Sequence, residues 1–379
     1  MALSAGTRRT VACLLVGLGA LLITIAVMIP AYTVGKLAKT PLDLEITTIA
    51  NSVPGEESLV LDAKSLTSPE GSAKVDSNVK LISQRFLTVE EPSDSTEMTV
   101  QAGQTLRRTD MQGDTGLLTA TIDRVTIDRK SGEPVAKNPN GAIAVTVNKQ
   151  MESLLEPVQH TGLQYRFPIG VDKKSYPYFD VNARKTFDIN YIEETEINNM
   201  KVYHFQQTIP VTNVWDVVQA PTNRLTLPAK KWGVEGDGDV QMTRFYTNTR
   251  DLWVEPKTGT VIKGGEQIHL FYARSGDKPE VTALKSHIVF DENTIESQIA
   301  VAKKNIDKLS LYGRTMPIVF GVLGAIALIV GVVLGLRGGA APAGGLRGAA
   351  SGRPAPRGPQ GPNDSFDPPT EQININKRP

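Results

Sequence analysis

Histidine is the side chain best suited to proton transfer or metal ligation near neutral pH, and the sequence has four: His160, His204, His269 and His287. None stands four positions from another, so no helical metal pair can form from them. There is no GxSxG elbow, no HExxH and no phosphate-binding glycine loop. The only cysteine, Cys13, lies inside an apolar run, so a thiol nucleophile is not expected. His204 and His269 fall in strand-like runs beside aromatics, the ordinary place for a partly buried histidine. Asp237 and Asp239 in Glu235-Gly-Asp-Gly-Asp239 begin like a calcium loop, but the later ligands are missing and an acidic turn is the plainer reading. The sequence therefore predicts no catalytic centre, no metal and no cofactor, and the protein is not expected to be an enzyme.

Aromatic residues are the better clue. Tyr165, Phe167, Tyr176, Tyr178 and Phe179 gather around Pro168 and Pro177, and Trp215, Trp232 and Trp253 follow. Most should form core. A β module so supplied with large apolar side chains can also leave a groove open, and Trp215, Trp253, Tyr176 and Phe179 are the expected apolar ligand surface.

The elements that must hold these residues are set by two hydrophobic stretches. Thr315 to Leu336 is 22 residues without a charge, bounded by Arg314 and Arg337. As a helix it would cover roughly 33 Å, enough to cross a bilayer. Val11 to Ile29 is nearly all aliphatic. It is longer than a signal-peptide core and no clear small-x-small site follows it, so an uncleaved anchor is expected. The chain contains 41 Lys and Arg against 40 Asp and Glu, a balance that gives no reason to expect nucleic acid as a partner. Eight of the basic residues and three of the acidic ones lie outside the two stretches, which leaves 33 and 37 between them. Arg-rich short flanks stay cytoplasmic, so both termini are expected inside and the long middle outside, at the plasma membrane.

The expected organisation is a cytoplasmic N-terminus (1–10), a first transmembrane helix (11–35) and a β-rich extracytoplasmic domain (36–290). A juxtamembrane helix (291–314), a second transmembrane helix (315–336) and a disordered Pro/Gly/Arg-rich tail (337–379) complete it. The fold class is thus a mainly β (α+β) module between two helices. Alternation begins at Leu42, Leu44 and Ile46, and β-type runs recur at 119–127, 142–147, 203–211, 244–254, 260–273 and 281–290. Residues 51 to 97, rich in Ser, Glu, Asp and Pro, read mostly as loops around short strands such as 83–89. From 291 to 312, Ile295, Ile299, Ile306 and Leu309 recur near helical spacing, and Pro317 predicts either a new helix start or a kink. Val125 to Val135 aligns without gaps on Leu252 to Ile262. Each has an acid, any residue, Lys, a hydroxyl residue and Gly, which suggests a hairpin turn closed by Gly132 or Gly259 and leaves a duplicated β unit as one explanation.

The two-span layout, YRFPIGVDKKSYPYFD (165–180), DLWVEPKTGTVIKGGEQ (251–267) and the Pro/Gly tail resemble actinobacterial membrane proteins of unknown function grouped as the porin PorA family. The hairpin at 253–262 is similar to one in periplasmic lipid and lipoprotein carriers, and the anchor–ectodomain–anchor layout is similar to that of CD36-type lipid receptors. What these likenesses imply is a non-enzymatic envelope protein whose β module binds or passes a lipid or other apolar component. An envelope scaffold or sensor, binding a protein partner outside or a cytoplasmic partner through the Pro-rich tail, is the alternative. A porin-like pore is a further one, set against residues that spend their hydrophobicity on helices instead of an outward band on strands.

Overall fold

A computed structural model describes residues 4–34, 38–147 and 153–338. The expected tail lies, from residue 339 on, outside the described residues. Helix α1 (Ala5–Met28) is capped by Ser4, whose hydroxyl accepts from the Thr7 amide. A wide π turn, Ile29–Val34, follows. The strands are β1 (Glu45–Ser52), β2 (Leu59–Asp62), β3 (Lys74–Ser77), β4 (Leu81–Glu90) and β5 (Glu97–Arg108). Next come β6 (Leu117–Asp128), β7 (Gly141–Val147), β8 (Ser153–Val158), β9 (Tyr176–Asp180) and β10 (Lys185–Ile197). The last are β11 (Met200–Asn213), β12 (Arg224–Pro228), β13 (Asp239–Glu255), β14 (Thr260–Ala273) and β15 (Val281–Phe290). Helix α2 (Glu292–Ser310) leads through a second π turn, Leu311–Thr315, into α3 (Met316–Gly338).

All the strands join one antiparallel sheet in the order β8-β7-β6-β5-β4-β1-β15-β14-β13-β11-β10-β9, with β12 on β13, β2 on β15 and β3 on β2. The fold is the expected mainly β body between two apolar helices. The segment after β8 reaches β9: the Leu163 amide donates to Pro177 O over 2.7 Å and the Phe179 amide to Leu163 O over 2.9 Å. Phe179 also packs with Ile143 and Val158. The sheet thereby curls until its two ends touch, close to a barrel.

Several boundaries differ from the sequence expectation. The first helix starts at Ala5, because nothing between Arg8 and the apolar run breaks it. The first strand begins at Glu45, not Leu42. Residues 51–97 hold β2, β3 and a ten-residue β4, in place of loops around short strands. Gln84 is exposed on the outer face of β4, while Ser83 and Arg85 alternate inward with the buried Leu81 and Leu87. Strand β10, which has Asp and Glu along its outer face, was not anticipated.

The order places β1 beside β15, with Ala50 opposite Phe290. The first strand after α1 and the last before α2 are therefore neighbours, and the two apolar helices leave the sheet together. They pack antiparallel through small residues: Ala12, Gly19 and Ala26 recur every seven positions and meet α3 at Gly335, Gly324 and Gly321. A Cβ on Gly19 would stand 2.7 Å from Gly324 O and Leu328 Cγ, so only glycine permits this approach. Leu14, Leu21, Ile326, Ile329 and Leu336 point outward and are exposed, as apolar helices facing acyl chains would be.

Helix α2 is tied to the sheet at its start. The Asp291 carboxylate caps it, accepting from Thr294 N over 2.8 Å, and the Ile49 amide donates to Thr294 Oγ1 over 3.0 Å. Ile295, Ile299 and Ala302 pack on Met200, Val202 and Ile262. The helix then runs without a break to Arg337. Pro317, lacking an amide, sits just past the π turn, where the regular hydrogen-bond ladder is already interrupted. It stands at the second position of α3, the place in a helix where a missing amide costs least.

Candidate functional site

The curled sheet encloses a cavity of about 580 Å³. On β1 and β4 alternate residues face it, so the parity that puts Ile46, Thr48 and Ala50 of β1 inward also brings in Ser83, Arg85 and Leu87 of β4. Cross-strand register sorts these into bands. Ile46 stands opposite Leu87, and Met98, Val100, Leu252 and Phe290 extend an apolar band around the wall. Thr48 stands opposite Arg85 and Arg85 opposite Gln104, one step along from Ile46, while Glu266 stands opposite Arg250, one step along from Leu252. These two polar rows, offset from one another in register, make up a polar band. One wall is α2: its sheet-facing side packs on β11 and β14, and Gln298, Val301, Asn305 and Lys308 turn to the cavity.

The polar band is held by a buried charge network. Arg250 Nε donates to Glu266 Oε1 over 2.9 Å, Nη1 to Gln207 Oε1 over 2.6 Å and Nη2 to Asp180 Oδ2 over 2.8 Å. Tyr246 OH adds a bond to the same Asp180 oxygen over 3.1 Å. Burial opposes ionisation of Glu266, but the guanidiniums of Arg250 and Arg85 and the bonds from Arg250 and Asn248 outweigh it, so its carboxyl is held below the usual range. Arg85 donates twice to Gln104 Oε1, over 3.0 and 2.9 Å.

A second network is built into the wall, where Gln164 and Tyr165 line the cavity. Asp123 accepts from His160 Nε2 over 2.9 Å, and its other oxygen accepts from Gln164 Nε2 and Tyr165 OH, each over 2.5 Å. Burial, and then the charge of Asp123, push the Tyr165 hydroxyl well above its usual pKa, so it stays a donor. Tyr165 pays for this position with a φ of +65°. A histidine and a carboxylate are thus paired, but among the described residues no Ser or Thr hydroxyl or Cys thiol hydrogen-bonds to either side chain, and the pair joins the loop after β8 to β6.

At the mouth the two similar turns meet one segment. Asp128 Oδ1 accepts from the amides of Lys130 and Ser131, and Glu255 from those of Lys257 and Thr258. Between them runs Arg166-Phe167. Arg166 Nη2 donates to Thr258 O over 3.1 Å, and its Cγ would stand 3.5 Å from a Cβ on Gly132. The mouth continues through Lys39, Pro41 and Leu44 to Lys304, Lys308 and Leu309 of α2. Leu309 is seven residues before α3, about 10 Å along a helix, so the opening adjoins the apolar pair.

The four residues expected to form an apolar ligand surface are not brought together. Phe179 is in the cavity wall. Tyr176 is buried among Phe167, Phe205 and Ile189. Trp253 lies under α2, its ring stacked on His204 at 4.5 Å with Lys263 over it at 4.8 Å. Trp215 carries Arg224 on its face at 4.5 Å. His204 pairs with Asp251 over 2.8 Å. His269 is half-buried, and burial, helped by Lys285, lowers its pKa. Among the described residues no group of three His, Cys, Asp or Glu could hold a metal ion. Sequence reasoning missed Arg85, Arg166, Arg250 and Glu266. A signal existed for Arg250: Tyr246, Asn248, Arg250, Leu252 and Val254 share one strand face, and a charge at an inward position of such a run needs a partner.

A family model described as "Porin PorA" matches residues 11–333. A protein named Porin PorA from Corynebacterium resistens (strain DSM 45100 / JCM 12819 / GTC 2026 / SICGH 158) is 33% identical over 405 residues, covering 87% of this chain and 97% of the relative. A second of that name, from Corynebacterium amycolatum, is 31% identical over 381 residues, covering 86% and 98%.

Proposed function

The chain belongs to the PorA porin family, and on that premise we propose that it is a non-catalytic membrane protein whose β body takes a lipid or similar apolar envelope component out of the bilayer. Membership places it in a membrane or cell envelope and suggests a channel-type role. The observation that carries the finer reading is the cavity. Its apolar band lies inside a body with a continuous helical wall, α2, that runs into the apolar pair, and its volume falls within the range of about 300–1,000 Å³ usual for ligand pockets. An acyl chain sliding up along α2 would exchange one apolar surround for another. The polar band beyond would stop it.

In this reading the chain crosses the membrane twice, with Arg8, Arg9 and Arg337 on the cytoplasmic side and the β body outside. An aqueous pore between the two helices of one chain finds no support, because their seam is closed by glycine and alanine. A channel would need several copies. A protein partner outside, or one in the cytoplasm that docks on the Pro-rich tail, fits the same layout.

The test is native mass spectrometry of the full-length protein extracted in mild detergent. Wild type should carry co-purifying lipid, and Val301→Trp, which narrows the cavity from α2, should lose it. Bare wild-type protein would remove the lipid reading. Stepwise conductance in a planar bilayer would establish the pore instead.

A further inference from the structure

The charges at the cavity mouth are unequal. Lys39, Arg129, Arg166, Lys304 and Lys308 line it against Asp43 and Glu45. Deeper charges balance: Arg250 serves Glu266 and Asp180, and Arg85 lies close enough to lower the pKa of Glu266. The excess of positive charge is therefore confined to the entrance.

None of the cations there has an ion-pair partner within the described residues, although Lys39 lies close enough to Asp128 to help lower the pKa of that carboxyl. Arg129 donates from Nε to Thr40 O and from Nη1 to Asp94 O, each over 2.9 Å. Arg166 donates to Thr258 O, and Lys39 Nζ to Ser95 O over 2.7 Å. All of these acceptors are neutral carbonyls, which fix a guanidinium or ammonium and leave its charge for another group. Lys304 and Lys308 extend from the cavity side of α2 and are exposed.

Resting on the lipid reading above, we propose that this entrance is an anionic head-group site. The acidic head of a lipid sits between Arg129 and Arg166 of the β body and Lys304 and Lys308 of α2, with its acyl chain in the apolar band. The arrangement suits such a molecule from both ends. The tail finds Ile46, Leu87 and Phe290, and the head stays beside the bilayer surface, where lipid heads already are. Burial pulls the pKa of Arg166 from its usual 12.5 down to about 10, an unfavourable surround for a cation that a nearby anion would relieve. A zwitterionic head brings its own positive group into the same place and gains less.

The experiment uses the full-length protein, delipidated in detergent and offered equal amounts of phosphatidylglycerol and phosphatidylcholine with identical acyl chains. Bound lipid is counted by native mass spectrometry. Wild type should retain phosphatidylglycerol in excess, and Lys304→Gln with Lys308→Gln should reduce that excess by roughly fivefold for each charge removed. The excess should also shrink in high salt. Arg166→Gln tests the β side, with a thermal melt to confirm folding. Equal retention of the two lipids by wild type would overturn the head-group site and leave the lipid reading standing. Retention of neither would remove both. An excess unaffected in both variants would show that these residues do not form the site.

Discussion

Gly132 and Gly259 occupy the same place in two separate turns. Their φ values are +75° and +70°, and each amide donates over 2.9 Å to the carbonyl four residues back, that of Asp128 or Glu255. In both, an acidic side chain accepts the amides inside the turn. The surroundings differ. A Cβ on Gly259 would fall 2.3 Å from Phe167 O, whereas one on Gly132 would meet nothing nearer than Arg166 Cγ at 3.5 Å.

Alanine should therefore separate the two. Gly132→Ala is expected to cost about 1–2 kcal/mol, the usual penalty for a left-handed non-glycine residue. Gly259→Ala carries the same penalty and must also displace the Phe167 carbonyl. Its midpoint in a chemical denaturation curve should fall well below that of Gly132→Ala, and equal midpoints would refute the account of the mouth.

Arg250 is the keystone of the polar band. Arg250→Met strips Asp180 of its ion-pair partner, leaves Glu266 only the charge of Arg85, and should destabilise the body by about 3–5 kcal/mol. A melt should show a drop of roughly 10 °C. Adding Glu266→Gln should recover part of the loss, because one of the stranded charges is gone.

The helix pair makes a geometric prediction. A Cβ on Gly335 would lie 3.7 Å from that of Ala12, within the spacing of a disulfide. With Cys13 replaced by Ser, Ala12→Cys and Gly335→Cys should cross-link under mild oxidation, seen as a gel shift reversed by reductant. Gly19→Leu should abolish the link, since that position cannot accept a side chain next to Gly324.

Acid should weaken the body in a defined window. Asp76, Asp110, Glu266 and Glu280 have lowered pKa values through their arginine partners, and backbone amides hold Asp94 at about 2. A carboxylate with a depressed folded pKa contributes stability that is complete above its unfolded value, near 3.8 for Asp and 4.5 for Glu, and is lost as pH falls through the folded one. Denaturation midpoints should be flat from pH 7 to about 5 and then decline towards pH 2. A midpoint that rose on acidification would contradict these pairings.

Much of the architecture was legible because it rests on hydrophobic period. The two apolar runs, the strands at 244–254 and 260–273 and the helix after 291 follow from which positions are greasy. The paired turns were readable from five residues each. Strand β10 escaped because Ile192 and Glu193 break its alternation, at the point where its register with β11 shifts. Closure of the sheet was hidden for another reason: it depends on Leu163 meeting Pro177 and Phe179, a contact without periodicity. An open groove was expected from the aromatics, but not which residues line it. Aromatics advertised it, yet Tyr176 and Trp253 went to packing and Trp215 to an arginine. The lining came from unremarked strand residues such as Ser83, Arg85 and Gln104, whose inward parity shows only once neighbours are known.

The adjacency of β1 and β15 has a mechanical meaning. With both apolar helices in a bilayer, as proposed, the body would be tied to it through one narrow seam, and most of its rim would be free of covalent ties to the membrane. A body moored at a single point can rock, and rocking would widen or pinch the gap beside α2 while the far strands stay rigid. Access to the interior would then be governed by tilt against the membrane plane, with no flap or loop needing to unfold.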